Sequence, residues 1–397
     1  SLTNFSSDQS SAAILGSYHE LHTTEAFKGY HKALNNNGML SISLWSSTPP
    51  IQIARLWNTL KEASFSPQHV IVANSLLTSL ILAKKTPFSK TELENIKNFC
   101  EKKGFELLFP ENIRQQFSSK TNELSNFLIA PVYDDKPFFF HQMKFSNFWS
   151  WFIGKKESSF TVFVDSNYFH LWSSLLIALF LCFIFILFPL ITQRILRKSS
   201  TNPGLLFTFY FSLLGLAFMF TEITLIHYLR QFFSYKVYSI AIVLTIFLSF
   251  AGLGSFFAPR WLKKLQKNYL LVFLILAILA LTTISVCTMF SSLILGLSLL
   301  HKILFLSIFL IPLAFFMGMP FVIGLILSHR NKDHFISWAW GMNGFFSVVG
   351  AILAKLFNIH LGFSWTMIIA LCLYLLAGLV LFYLQKKDLI GMSNKKI

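Results

Sequence analysis

GLLFTFYFSLLGLAFMFTEITLIH, Gly204 to His227, decides how the rest of the chain is read. It is an uninterrupted apolar run of membrane length, since a helix of about 20 apolar residues crosses a bilayer. It carries one carboxylate, Glu222. From residue 168 to the end the only acids are Glu222, Asp333 and Asp388. Asp333 and Asp388 sit beside lysines in polar stretches, so Glu222 is the one acid placed inside hydrocarbon. An ionised group there is expensive unless it is paired or neutralised.

Outward from this run, six more apolar stretches reach spanning length: Phe169 to Thr192, Val237 to Phe257, Tyr269 to Phe290, Ile303 to Leu327, Ile336 to Phe357 and Phe363 to Leu384. His301 and Lys302 mark a membrane surface inside the long run from Ser291 to Leu327. Gly318 and Pro320 are expected to break or kink the fifth span. The composition agrees with a membrane protein. Hydrophobic residues make up 54% of the 397 residues and charged ones only 13%, against about 25% charged in soluble domains.

The charge is unevenly placed. Residues 1–167 carry 16 Lys/Arg and 14 Asp/Glu, whereas residues 168–397 carry 17 and 3. The basic excess therefore lies between apolar spans, where it reads as topology signal and lipid-headgroup contact, with no nucleic-acid partner. Lysines and arginines concentrate after the first, third, fifth and seventh spans. That places the C-terminus in the cytoplasm of a multi-pass membrane protein. The same count puts the N-terminal part outside, at odds with a domain built for a cytoplasmic cofactor. The four cysteines show no metal-ligand or disulfide spacing. Gly341, Gly344, Ser347, Gly350, Ala351 and Ala354 lie near one helical face, and Ala251, Gly252, Gly254 and Ser255 form a second small-residue patch. Both predict close helix packing.

The N-terminal part reads as α/β. Thr23 to Leu34 is a helix closed by Asn35 to Gly38. Met39 to Trp45 is a strand, Ile51 to Ala63 a helix, and Val70 to Ala73 and Ser79 to Lys85 a strand pair joined as an antiparallel hairpin. Ser89 to Glu92 matches a capping box opening a helix that Gly104 ends. This order is that of the later half of a doubly wound sheet with an antiparallel edge. The sequence is accordingly expected to be the C-terminal portion of a longer protein. No Gly-rich turn precedes residue 160.

GSYHELHTTEAFKGYHKALNNNGMLSISLW (Gly16 to Trp45), KKTPFSKTELENIKNFCEKKGFEL (Lys84 to Leu107) and PVYDDKPFFFH (Pro131 to His141) resemble the class I methyltransferase-like domain of spermidine synthases, the aminopropyltransferases. With FMFTEITLIHY, AGLGS (Ala251 to Ser255), FMGMPFVIGL (Phe316 to Leu325) and WAWGMNGFFSVVG (Trp338 to Gly350), the resemblance is closest to membrane-embedded bacterial spermidine-synthase-like proteins. It implies a partial doubly wound, methyltransferase-like α/β domain over residues 1–145. An interfacial aromatic linker (146–167), an all-α polytopic bundle of about seven helices (168–390) and a basic tail (391–397) complete the reading. It further implies decarboxylated S-adenosylmethionine or S-adenosylmethionine as cofactor and a polyamine or related amine as substrate. Tyr18 and Glu25 match positions flanking the family's substrate pocket. The family's Gly-rich nucleotide turn is missing. The loop matching its catalytic acid, Ser1 to Gln9, holds only Asp8, off register, so no catalytic residue is assigned and the chain alone is expected to be inactive.

Two further places carry acid chemistry. Asp134 and Asp135, between Pro131 and Pro137, could hold a polyamine ammonium or a proton. The preferred reading is a turn whose following Phe138, Phe139 and Phe140 dock on the membrane. Glu222 is either a neutral acid hydrogen-bonded within the bundle, with Thr221 or Thr224 as local partners, or a binder of a proton or cationic substrate. Asn343, beside Trp338 and Trp340, is a second intramembrane polar candidate. The alternative to an aminopropyltransferase-type protein is therefore a polytopic transporter or sensor using Glu222, with the α/β domain as a degenerate regulator. A membrane scaffold is the third reading.

Overall fold

The computed structural model describes residues 20–46, 50–108, 127–146, 166–188, 192, 204–233, 235–264, 268–329 and 335–393. The chain divides into two compact units, 1–170 and 171–397.

In the first unit the local signals act as written. Helix α1 (Thr24–Ala33) starts where the Thr23 hydroxyl accepts the Ala26 N–H at 3.2 Å, which satisfies one of the donors a helix start leaves open. Strand β1 (Met39–Trp45), helix α2 (Ile51–Glu62), strands β2 (Val70–Asn74) and β3 (Thr78–Lys84), helix α3 (Lys90–Lys103) and strand β4 (Glu106–Leu108) follow. Ser89 and Glu92 close the full capping box of α3, and Gly104 ends it at φ 68°, in the left-handed region that glycine tolerates.

The sheet order is β1-β3-β2-β4, and every neighbouring pair is antiparallel. The antiparallel strand expected at an edge is thus internal. The reason is local: the β2–β3 connection is too short for a crossover, so β3 must fold back on β2, and β1 then pairs with the free side of β3. β1 and β2 still run the same way, joined through α2. Ile42, Leu44, Val70, Val72, Ile81 and Ala83 of the sheet pack on Phe27 of α1 and on Ile53, Leu56 and Leu60 of α2.

Residues 127–143 complete this core. Phe138, Phe139 and Phe140 are buried, with Phe139 stacked on His22 at 4.8 Å between ring centroids. They do not dock on a membrane. Their apolar surface is taken up inside the unit because side chains of α2 grip the segment's backbone. Arg55 donates to the carbonyls of Phe139 (2.8 Å) and His141, and Asn58 to Ile129 (2.8 Å). The Val132 N–H donates to Thr59 at 3.3 Å, and Thr24 donates to the Val132 carbonyl at 3.0 Å. The expected linker (146–167) and tail (391–397) lie mostly outside the described residues.

The second unit is helical: α4 (Ser166–Cys182, continued by a π-helical stretch, Phe183–Leu187), α5 (Gly204–Leu229), α6 (Lys236–Lys264), α7 (Leu270–Met289), the short α8 (Ser291–Gly296), α9 (Leu299–His329), α10 (Phe335–Leu361) and α11 (Phe363–Ser393). Seven of them are long and apolar enough to cross a membrane, the make-up of a multi-pass integral membrane protein. α5 is the centre: 72% of its span is buried, more than any other.

Glycines bring the helices together. A side chain at Gly254 of α6 would meet the Phe315 backbone of α9, and one at Gly318 of α9 the Ala251 backbone of α6. Gly215 of α5 lies on the backbone of Asn343 and Ser347 of α10, and Gly350 of α10 lies on Leu216 and Met219 of α5. The expected small-residue contacts thus form at Gly254 and Gly350, while Gly252, Gly341 and Gly344 face open space.

The fifth span is not broken. α9 runs unbroken through Pro312 and Pro320. Neighbours hold it on either side of the missing Pro320 donor: Ser255 donates to the Gly318 carbonyl at 2.8 Å, and Tyr210 to the Pro320 carbonyl at 2.6 Å.

Candidate functional site: the carboxylate of the central membrane helix

Glu222 lies in the last third of α5. One turn earlier, Phe218 meets Phe247 of α6 (6.2 Å between ring centroids) and Met219 meets Gly350 of α10. Helical spacing carries Glu222 into the space between those two helices. It is 4% exposed. Among the described residues it makes no hydrogen bond and no ion pair. The local partners expected for it are engaged elsewhere. Thr221 donates back to the Ala217 carbonyl at 2.9 Å, and Thr224, on the far side of the helix from Glu222, donates to Asn358 Oδ1 at 3.2 Å.

Two further polar groups share this condition. Among the described residues the Tyr374 hydroxyl of α11 is buried without a hydrogen-bond partner, and it sits within electrostatic reach of Glu222. Asn358 Nδ2 of α10 is buried and likewise without a partner. Buried polar groups are usually satisfied; Tyr374 and Asn358 are two exceptions beside α5.

Asn343 meets α5 through its backbone. Its side chain is half-buried, and its carbonyl does the bridging: it lies against Gly215 and accepts the Ser347 hydroxyl at 2.7 Å. The close approach at Gly215 brings backbone to backbone and leaves the amide aside. Sequence reading missed Asn358 because it falls one residue past the expected end of the sixth span at Phe357, whereas the helix continues to Leu361. Tyr374 carries no signal in sequence.

In the first unit, Tyr18 and the loop Ser1 to Gln9 fall outside the described residues. Glu25, at the start of α1, accepts the Asp134 N–H at 3.0 Å, so two of the sequence candidates meet. Burial pushes the Asp134 carboxyl up to about 6, the Thr23 hydroxyl bond pulls against this, and Glu25 adds to it. Asp135 lies half-buried on the same turn, beside Lys136. Among the described residues no cluster of His, Cys, Asp and Glu could hold a metal ion. They also form no strand–Gly-rich turn–helix unit. Set against protein-family models, curated proteins and solved structures, the chain matches none.

Proposed function

We propose that the helical bundle binds a proton or a small cation at Glu222, as part of a transport or sensing function. One observation carries this reading: a carboxylate is kept in the most buried helix of a membrane protein with no partner among the described residues. Retaining such a group without a structural return is costly, and intramembrane acids commonly mark ion or proton pathways. The concentration of basic residues in the last turns of α6 and α11 and just after α6, α9 and α11 in sequence supports a cytoplasmic C-terminus. In liposomes holding the full chain under an imposed proton or cation gradient, wild type is expected to dissipate the gradient and Glu222→Gln to fail at equal insertion. Equal flux in both, or in neither, overturns the reading.

The second reading is the amine-transfer protein that the resemblance implies, with a methyltransferase-like half-domain in the first unit. What favours it is the meeting of Glu25 and Asp134, a carboxylate pair suited to an ammonium substrate. The crossover from β1 through α2 to a co-directional β2 is compatible with it. Binding of putrescine or spermidine that Glu25→Gln abolishes supports it; binding unchanged by that substitution counts against it.

A further inference from the structure

We propose that the first unit binds an uncharged ring molecule bearing a hydroxyl or carbonyl group, in a cavity between α3 and the sheet. The site lies in a different unit from Glu222 and goes beyond the reading given to that carboxylate. It exists because the two faces of the sheet are covered unequally. Side chains alternate along a strand. Ile42, Leu44, Val70, Val72, Ile81 and Ala83 pack with α1 and α2, which leaves Ser43, Ala73, Leu80 and Leu82 on the opposite face. Strand register sets Ser43, Leu80 and Ala73 in one row there. A helix about 10 Å wide covers about two strands, so each face of this four-stranded sheet takes two helices. α1 and α2 do this on one face. On the other, α3 is the one helix among the described residues.

Between α3 and this face lies a cavity of about 470 Å³, within the range of about 300–1,000 Å³ usual for small-molecule sites. Its lining is chemically selective. Ala73, Leu80 and Leu82 of the sheet face Ile96 and Phe99 of α3, with Phe105 just past the end of that helix. The Phe99 and Phe105 rings stand 6.3 Å apart, tilted at 59°. Leu80, Phe99 and Phe105 remain 37%, 56% and 37% exposed, so apolar surface is left for a ligand to cover. Phenyl rings favour another ring set edge-on or offset against them. The Ser43, Ser75 and Thr78 hydroxyls and the Asn95 amide complete the lining. These groups both donate and accept, which suits an alcohol or a carbonyl. No Lys, Arg, His, Asp or Glu is among the described residues that line the cavity. A charge brought there would lose hydration without gaining an ion partner, so the ligand is neutral.

Cys100 forms part of the cavity wall and is 2% exposed, so its thiol reports what enters. In the full chain in nanodiscs, alkylation of Cys100 by N-ethylmaleimide is followed by mass spectrometry of its peptide. The probe is 2-naphthylmethanol, an uncharged two-ring alcohol. At a concentration about ten times its dissociation constant it is expected to slow the reaction about 10-fold. 2-Naphthoate, of similar shape but charged, is expected to leave the rate unchanged. Cys372 of α11 is exposed and far from the site in sequence, and its rate is expected to stay constant throughout. Ala73→Leu, which fills the cavity floor, is expected to abolish the slowing at Cys100. If that variant does not fold, Leu80→Trp, whose ring starts from a partly open position, carries the same test. Slowing by naphthoate as strong as by the alcohol, slowing at Cys372 as strong as at Cys100, or slowing that survives the filling overturns the proposal. So does a Cys100 rate that the alcohol does not change, or a Cys100 that the reagent never reaches.

Discussion

Arg55 in the first unit and Glu222 in the second are equally buried, at 4% exposure each, and are treated in opposite ways. Arg55 donates to two backbone carbonyls and fastens the 127–143 segment onto α2. Glu222 has no partner among the described residues. A buried charge that is put to use explains itself by the structure it holds. One that is left over has to be explained by what arrives. Packing does not divide the same way: both units bury large side chains, Phe27, Phe65 and Phe139 in the first and Phe211, Phe247 and Phe273 in the second, and the second also closes backbone on backbone at glycines.

The sharpest way to break this contrast is to remove each charge. Arg55→Met strands the Phe139 and His141 carbonyls and is expected to cost about 3 kcal/mol, read as lost hydrogen-exchange protection over residues 127–143. Glu222→Gln, of nearly the same shape, is expected to change the bundle's stability by less than about 1 kcal/mol, read as its thermal midpoint. A loss as large as that of Arg55 would make Glu222 a structural group and erase the distinction.

Gly318→Ala comes next. The added methyl meets the Ala251 backbone, which cannot yield as a side chain tip can. It is expected to cost about 2 kcal/mol, whereas Gly341→Ala, in open space, is expected to be neutral or stabilising. Equal midpoints for the two would show that the α6–α9 contact is not backbone-limited.

A smaller effect is confined to the first unit. Burial lowers His22 to about 4 and raises Asp134 to about 6. Between about 4 and 6.5 the unfolded chain binds the His22 proton and the folded one does not, so this group makes stability rise with pH. Between 3.8 and about 6 the folded chain keeps the Asp134 proton that the unfolded one has lost, so this group makes stability fall with pH. The slopes oppose. Asp134→Asn is expected to leave the His22 slope alone and render the unit visibly acid-labile across that window. A pH profile identical to wild type would contradict the burial of Asp134.

The smallest change is Glu92→Gln. The Lys84 ammonium and the Ser89 cap hold the Glu92 carboxyl down at about 2, so its contribution is present above the usual carboxylate range and fades as pH falls toward 2. Because Glu92 is well exposed, the thermal midpoint is expected to drop only slightly.

Sequence showed the elements better than their arrangement. The Ser89 and Gly104 caps are local properties and fell where expected, whereas the spans were found in place but with shifted ends, the third reaching Lys264 and the sixth Leu361 instead of Phe257 and Phe357. The position of β3 between β1 and β2 depends on which strand pairs with which, and residue alternation along a strand does not encode its partner. The aromatic run Phe138 to Phe140 read as interfacial because a loop sequence does not reveal that Arg55, Asn58 and Thr59 wait to bind its backbone. Glu222 was legible as a lone acid in hydrocarbon. Its isolation was not, because Thr221 and Thr224 stand close in sequence yet bond to Ala217 and Asn358.

The most direct test of the contrast is infrared difference spectroscopy of the full chain in bilayers, following carboxylic-acid carbonyl absorption while pH or cation concentration is changed. The expected result is a band that responds to the titration and is missing from Glu222→Gln. A spectrum in which no such band responds, or in which Glu222→Gln retains it, would contradict a binding role for this carboxylate.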